Sequence, residues 1–327
     1  MCLLQFSIAN EYYLIDVIEL EGDQRANRLI ADLLSDTQLL KVLHSSFQDI
    51  EVLSQVYGVI PQAIFDTQLA AGFCGYDSQI GYANLVKRVF GAELDKSQTR
   101  TNWKQRPLSE KQMDYAINDV VYLQDLYKKF SEELQKNGRH EWFDAEIENV
   151  VNAAVDSRNP QLSYQRLNGA NLSPIQQRLL VFLSELREIH AQKHDIPRTW
   201  VMKDAEMYEV VQDAVPNKQA LISNENKSKF IENHIDRIIA FTNSIDENIE
   251  PVWQRSQPLS PDQKQTVKNI SKEMNLLSEE LGIAKSLIAN RKDIESFVSG
   301  RGAKFEQGWR ATVLKGSSLP SLSLLTN

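Results

Sequence analysis

The sequence predicts an α/β domain with a mixed sheet and helices on both faces, followed by an all-α region. Three observations lead there. Short apolar runs alternate with helically spaced segments over the first 135 or so residues. Strand-like patterns then stop after about residue 150. Proline-rich and turn-rich punctuation divides the remainder into helical blocks. A chain of 327 residues is long for a single core, and the expected division is 1–150, 168–249 and 260–327.

Taken in order, Leu3–Ile8 and Tyr12–Val17 are apolar runs separated by Ala-Asn-Glu, as in a hairpin. Residues 26–34 carry helical spacing, and 39–43 form the next strand. Asp49 opens a helix that runs to Tyr57 and stops at Gly58, a residue suited to the left-handed C-cap. Residues 63–65 form a further strand, after which Asp66 or Thr67 caps the next helix. A long amphipathic helix is expected from Ser109 to about Gln135. Beyond the turn-rich Asn168-Gly-Ala-Asn-Leu-Ser-Pro, Pro174 suits the first turn of a helix whose apolar positions are Leu179, Leu180, Leu183, Leu186 and Ile189. Short helices punctuated by Pro197, Pro216 and Asn217 follow. Pro251, Pro258 and Pro261 mark a boundary before a last helical block, from about Gln263 to Phe297.

Composition excludes several classes. Apolar content of 42% and charged content of 24% fit a packed globular chain rather than a disordered one. No apolar run is long enough to cross a bilayer, so no membrane association is expected. The start lacks a basic n-region and a cleavage pattern, so no signal peptide is expected. Cys2 and Cys74 are too few for a disulfide framework or a thiolate zinc site, which fits a reducing cytoplasm. A net charge of −8 argues against a globally basic nucleic-acid binder but permits local basic patches.

The chemistry concentrates in Tyr115-Ala-Ile-Asn-Asp119. Four residues apart on a helix, a phenol and a carboxylate share one face. Asp49 supplies a second acid on another element. By itself an acid in a first helical turn is explained by the macrodipole, and most isolated Tyr-x-x-x-Asp pairs are surface accidents. Here they accompany His44-Ser-Ser-Phe-Gln-Asp49-Ile-Glu-Val-Leu, Phe65-Asp-Thr-Gln-Leu-Ala-Ala, Leu94-Asp-Lys-Ser-Gln-Thr-Arg-Thr-Asn-Trp103 and Arg106-Pro-Leu-Ser-Glu-Lys-Gln-Met-Asp-Tyr115, in that order. This series resembles ribonuclease D, of the DEDD exonuclease superfamily, over residues 1–135. Leu179 to Pro197 and Leu281 to Glu295 extend the likeness, more weakly, to two HRDC-like helical modules.

The resemblance implies a ribonuclease H-like sheet and a 3′→5′ exoribonuclease that trims transfer RNA precursors and releases nucleoside 5′-monophosphates. It matches Asp49 and Asp119 to metal-binding acids and Tyr115 to the tyrosine of the DEDDy branch. Two Mg²⁺ or Mn²⁺ ions would serve as cofactors, because hard cations take oxygen ligands and a metal pair supplies both hydroxide and leaving-group stabilisation. A monomer without an obligate protein partner is expected.

The family also places an Asp-x-Glu pair on a first strand, ahead of the segment matching Leu3-Leu4-Gln5. Residues 1–327 do not contain that pair, and Asp16 is no substitute. The reading is of an N-terminally truncated or misassigned start, with the chain as given inactive. Two alternatives stand beside it: a non-catalytic RNA-binding protein, and a DNA exonuclease of the same superfamily.

Other residues carry weaker signals. Lys87, Arg88, Lys96, Arg100, Lys104 and Arg106 surround Trp103, and Lys96 and Arg100 are the candidates for RNA phosphate contacts. Trp103 fits base stacking and a core or lid role equally. Asp66 reads as a cap, not a ligand, and His44 as a strand-end packing residue. His190 and His194 have the i, i+4 spacing of a zinc chelate, but the sequence shows no third ligand at proper spacing, so a solvated helix face is expected. Lys227, Lys229, Arg237, Lys264, Lys268 and Lys272 give the helical modules a mixed charge.

Overall fold

The computed structural model describes residues 1–214, 228–255 and 257–317. Pro216, Asn217 and Lys227, noted above, lie outside them. The chain divides into two compact units, residues 1–155 together with 259–327, and residues 156–258.

The first unit opens with a hairpin. Strand β1 (Leu3–Ile8) pairs antiparallel with β2 (Glu11–Asp16), from Leu3 opposite Asp16 to Ile8 opposite Glu11. The turn residues Ala9 and Asn10 both have positive φ, 50° and 65°, the conformation whose twist suits a two-residue hairpin. Helix α1 (Gln24–Ser35) starts at Asp23, whose carboxylate accepts from the Arg25 and Ala26 amides. Strand β3 (Lys41–Leu43) runs parallel to β4 (Ile64–Asp66). Between them α2 (Phe47–Tyr57) ends at Gly58, in the left-handed region at φ 71° as its sequence position requires. Among the described residues the strands form these two separate pairs rather than one continuous mixed sheet. The architecture has the expected α/β elements, with the outer edges of β1 and β3 unladdered.

Helices α3 (Thr67–Phe73) and α4 (Tyr82–Phe90) follow. The expected long helix after Ser109 is instead two, α5 (Glu110–Asn118) and α6 (Leu123–Lys136). A Ser109–Gln112 capping box starts α5. The interruption has a local cause. The amides of Val120 and Val121 both bond back to the Ile117 carbonyl, while the Tyr122 amide donates to the Tyr82 hydroxyl at 3.0 Å. A side chain inserted into the helical ladder ends it there.

Helix α7 (His140–Asp156) closes this part, and the segment after residue 258 returns to it. A module of its own is expected over 260–327; its described residues, 260–317, share one core with the α/β elements. Phe73, Leu126, Phe130 and Phe143 pack in the same cluster as Ile270, Met274, Phe305 and Trp309. Trp142 stacks on Trp309 with ring centres 4.8 Å apart. Glu146 accepts from Trp309 Nε1 at 3.0 Å and pairs with Arg310 at 2.6 Å. The Ala284 amide donates to the Gly72 carbonyl at 2.8 Å. A Cβ at Gly72 would come within 3.1 Å of Leu287, so the glycine permits this approach. The apolar faces that look self-sufficient in sequence are the missing half of the first core. This block comprises α12 (Pro261–Leu281), α13 (Lys285–Ile288), α14 (Arg291–Val298) and α15 (Gly308–Lys315), the numbers following the second unit's helices.

That second unit is helical. Its central helix, α8 (Pro174–His194), begins with a Ser173–Gln176 capping box and Pro174 in the first turn. Around it lie α9 (Arg198–Val201), α10 (Asp204–Ala214) and α11 (Lys229–Ser244). Leu179, Leu180, Leu183 and Leu186 face Met202, Met207, Val211, Ile231 and Ile238. Ile189, expected in this stripe, is instead exposed. The turn before α8 is fixed by Trp253, which sits where a Cβ on Gly169 would fall 2.5 Å from its ring.

Candidate active site

Asp49 stands in the first turn of α2. By surface area it is exposed, yet enough protein crowds the carboxyl that burial, with a smaller contribution from Asp66, pushes it up to about 6. Asp119 is half-buried at the C-cap of α5, still in helical conformation, with its amide on the Tyr115 carbonyl at 3.2 Å. The four-residue relation to Tyr115 is therefore kept. Burial pushes the Asp119 carboxyl up to about 6 as well.

Tyr115 is held by the loop that precedes α5. Thr99 Oγ1 lies 3.2 Å from its hydroxyl, and Trp103 packs on its ring at 5.9 Å. Trp103 is half-buried here. Lys96 and Arg100 are exposed on the same loop, Lys96 reaching Asn84 of α4 at 3.4 Å. The rest of the basic stretch is partly committed elsewhere. Lys87 pairs with Glu93, and Arg88 lies over the Tyr76 ring. Arg106 grips Asp16 through two nitrogens and also donates to the Cys2 and Trp103 carbonyls. That grip removes Asp16 from any ligand role and holds its carboxyl below the usual range.

Asp66 is the cap its sequence position suggests. Oδ1 accepts from the amides of Gln68, Leu69 and Ser45, and Oδ2 from the amide and hydroxyl of Ser46. His44, at the end of β3, and Tyr82, at the start of α4, join these parts through contacts between distant segments. His44 Nε2 donates to the Ile80 carbonyl at 3.0 Å, and Nδ1 lies 2.9 Å from Thr67 Oγ1. Its ring meets Tyr82 edge-on at 5.5 Å. Tyr82 in turn holds the turn immediately after Asp119 through the Tyr122 amide. Burial drives the Tyr82 hydroxyl pKa up, and Asp119 is among the charges acting on it. Ser7 Oγ donates to the Val120 carbonyl at 3.5 Å, tying β1 to the same turn. A Gly-Tyr pair at a helix start gives no sign of this role.

The donor chemistry of Asp49 and Asp119 suits a hard divalent cation, since both are crowded carboxyls without a cationic partner that would lower them. Among the described residues, however, no three acids, histidines or cysteines come together as a metal-holding group. Each of the two carboxylates offers oxygen donors of the kind such an ion takes.

A family model described as a 3′–5′ exonuclease matches residues 1–135. A Bartonella henselae ribonuclease D is 31% identical over 318 residues, spanning 95% of this chain and 78% of that protein. A Jannaschia ribonuclease D is 30% identical, over 89% and 77% of the respective chains. The crystal structure of Escherichia coli RNase D, described as an exoribonuclease involved in structured RNA processing, superposes with a TM-score of 0.78 at 25% identity. It covers 99% of this chain and 88% of that one.

Proposed function

Given that this chain belongs to the ribonuclease D family, 3′→5′ exoribonucleases by kind, we propose that it trims transfer RNA precursors from their 3′ ends. Asp49 and Asp119 hold Mg²⁺ or Mn²⁺, and Tyr115 orients the attacking water. When bound, such ions supply the nucleophilic hydroxide and stabilise the leaving oxygen. The chain's own residues do the rest. Thr99 and Trp103 fix the Tyr115 phenol, and Tyr82 holds the turn that carries Asp119. Lys96 and Arg100, exposed on the loop that touches Tyr115, neutralise RNA phosphates. The helical unit, as an HRDC-like module, engages the RNA body, and the enzyme works as a cytoplasmic monomer. Among the described residues no helix is long and apolar enough to cross a membrane.

The observation that carries this reading is the pair of crowded, cation-free carboxyls on α2 and α5, one of them a single helical turn from a positioned phenol. We also propose that residues 1–327, with two of the four acids the family uses, turn over at least roughly 100-fold more slowly than a four-acid relative. A 5′-labelled transfer RNA precursor with a 3′ trailer tests both. Release of 5′-monophosphates from the 3′ end, stimulated by Mn²⁺ and abolished in Asp119→Asn, is expected at that reduced rate. Full-rate release would overturn the second proposal only. Release from the 5′ end, or no RNA binding at all, would overturn the first. The absence of a three-ligand group among the described residues favours one rival, a non-catalytic RNA-binding protein. Tight RNA binding with no metal-stimulated release would establish it.

A further inference from the structure

Three histidines of the helical unit lie together, outside anything the exonuclease reading uses. His190 and His194 are one turn apart on α8, with ring centres 4.4 Å apart. His234, from α11, meets His190 with ring centres 6.1 Å apart. Three imidazoles around one tetrahedral ion, each nitrogen about 2.0–2.1 Å from it, place their ring centres roughly 5 Å apart. The two observed separations bracket that value. We propose that His190, His194 and His234 form a binding site for a borderline transition-metal ion of the Zn²⁺ class, which ties α8 to α11.

The chemistry of each ring supports the assignment. His234 Nδ1 lies 2.7 Å from the Phe230 carbonyl. A carbonyl only accepts, so Nδ1 carries the proton and Nε2 keeps a free lone pair. An outer hydrogen bond to a backbone carbonyl is how ligating histidines are commonly oriented. Phe230 also walls the cluster, edge-on to His190 at 5.2 Å and tilted against His234 at 4.5 Å. Burial, aided by His194, His234 and Lys193, lowers the proton affinity of His190, which keeps it in the neutral, ligating form near pH 7. A donor set of imidazoles alone selects zinc, nickel or copper over the magnesium or manganese that carboxylates prefer.

As placed, no three such side chains among the described residues stand as a metal-holding group. His194 is exposed, and turning an exposed side chain between staggered rotamers is a small movement. The His190–His194 chelate on one helix face is the part already formed. The ion draws in the third imidazole, and water completes the tetrahedron. Lys193 opposes binding and caps the affinity.

Calorimetric titration of the full chain with ZnCl₂, in millimolar Mg²⁺ to occupy the carboxylates, tests the site. One equivalent is expected to bind, at least tenfold more weakly in His234→Ala and in His194→Ala, and within twofold of the parent in the Asp49→Asn, Asp119→Asn double variant. The exposed position of His194 makes it the variant that keeps its fold, which far-ultraviolet circular dichroism checks. No binding to the parent, unchanged affinity in His194→Ala, or loss of binding in the double aspartate variant would each overturn the proposal.

Discussion

Asp66 and the pair Asp49 and Asp119 use the same side chain in opposite ways. Around Asp66, four backbone amides and one hydroxyl converge on two oxygens, knitting the end of β4, the start of α2 and the first turn of α3. Around Asp49 and Asp119 no such donors or cations gather, and crowding pushes both carboxyls up to about 6. A carboxylate satisfied by the protein stabilises the fold. One left waiting costs stability, and proteins carry such groups where an external cation is to be held. The contrast supports the proposed division of labour, with Asp66 as a structural acid and Asp49 and Asp119 as cation-binding acids.

Removing each kind should change stability with opposite sign. Asp66→Ala strands several amides and is expected to destabilise the protein by about 3 kcal/mol, read from urea denaturation. A loss under 1 kcal/mol would mean the hydrogen bonds matter less than their number suggests. Arg106→Ala is the next largest, about 2 kcal/mol, because it frees Asp16 and the two carbonyls that join the hairpin to the loop before α5. Enhanced proteolysis between residues 95 and 107 would report it.

Asp119→Asn should go the other way. It is expected to stabilise the metal-free protein at pH 7 by on the order of 1 kcal/mol, after allowance for partial solvent access, while weakening Mn²⁺ binding at least tenfold. The pH dependence follows from the same shifts. A carboxyl with folded pKa near 6 and unfolded pKa near 4 holds its proton more tightly when folded. Metal-free stability should therefore fall as pH rises from about 4 to about 6, then level off. In the double Asp49→Asn, Asp119→Asn variant this slope should flatten. Saturating Mn²⁺ should raise the neutral-pH plateau.

The smallest effect sharpens the comparison. Tyr82→Phe removes only the acceptor for the Tyr122 amide and should cost about 1 kcal/mol. If Tyr82 positions Asp119, Mn²⁺ binding weakens as well, whereas a purely structural tyrosine would leave it unchanged.

How much was legible depended on how local the cause was. Asp23, Gly58, Asp66, Ser109 and Pro174 announce helix ends through their own side chains or backbone freedom, and each does what its type predicts. The spacing of Tyr115 and Asp119 survives because it lies within one helix. The break after Asp119 was not legible, since the group that ends α5 is the hydroxyl of Tyr82, forty residues away. The same holds for Arg106 with Asp16, and for His234 against His190. The final helices misled for another reason. Their amphipathic spacing says that a face is buried but not against what, and Trp309 has the face of Trp142 as its partner.

That partnership sets an order of events during synthesis. The helical unit of residues 156–258 is an insertion within the sequence of the other, so it is complete before the other unit's last helices are made. Phe73 and Trp142 are translated early but wait for Phe305 and Trp309 to complete their surroundings. The nascent α/β half is thus exposed to chaperones and proteases until those later aromatic residues emerge.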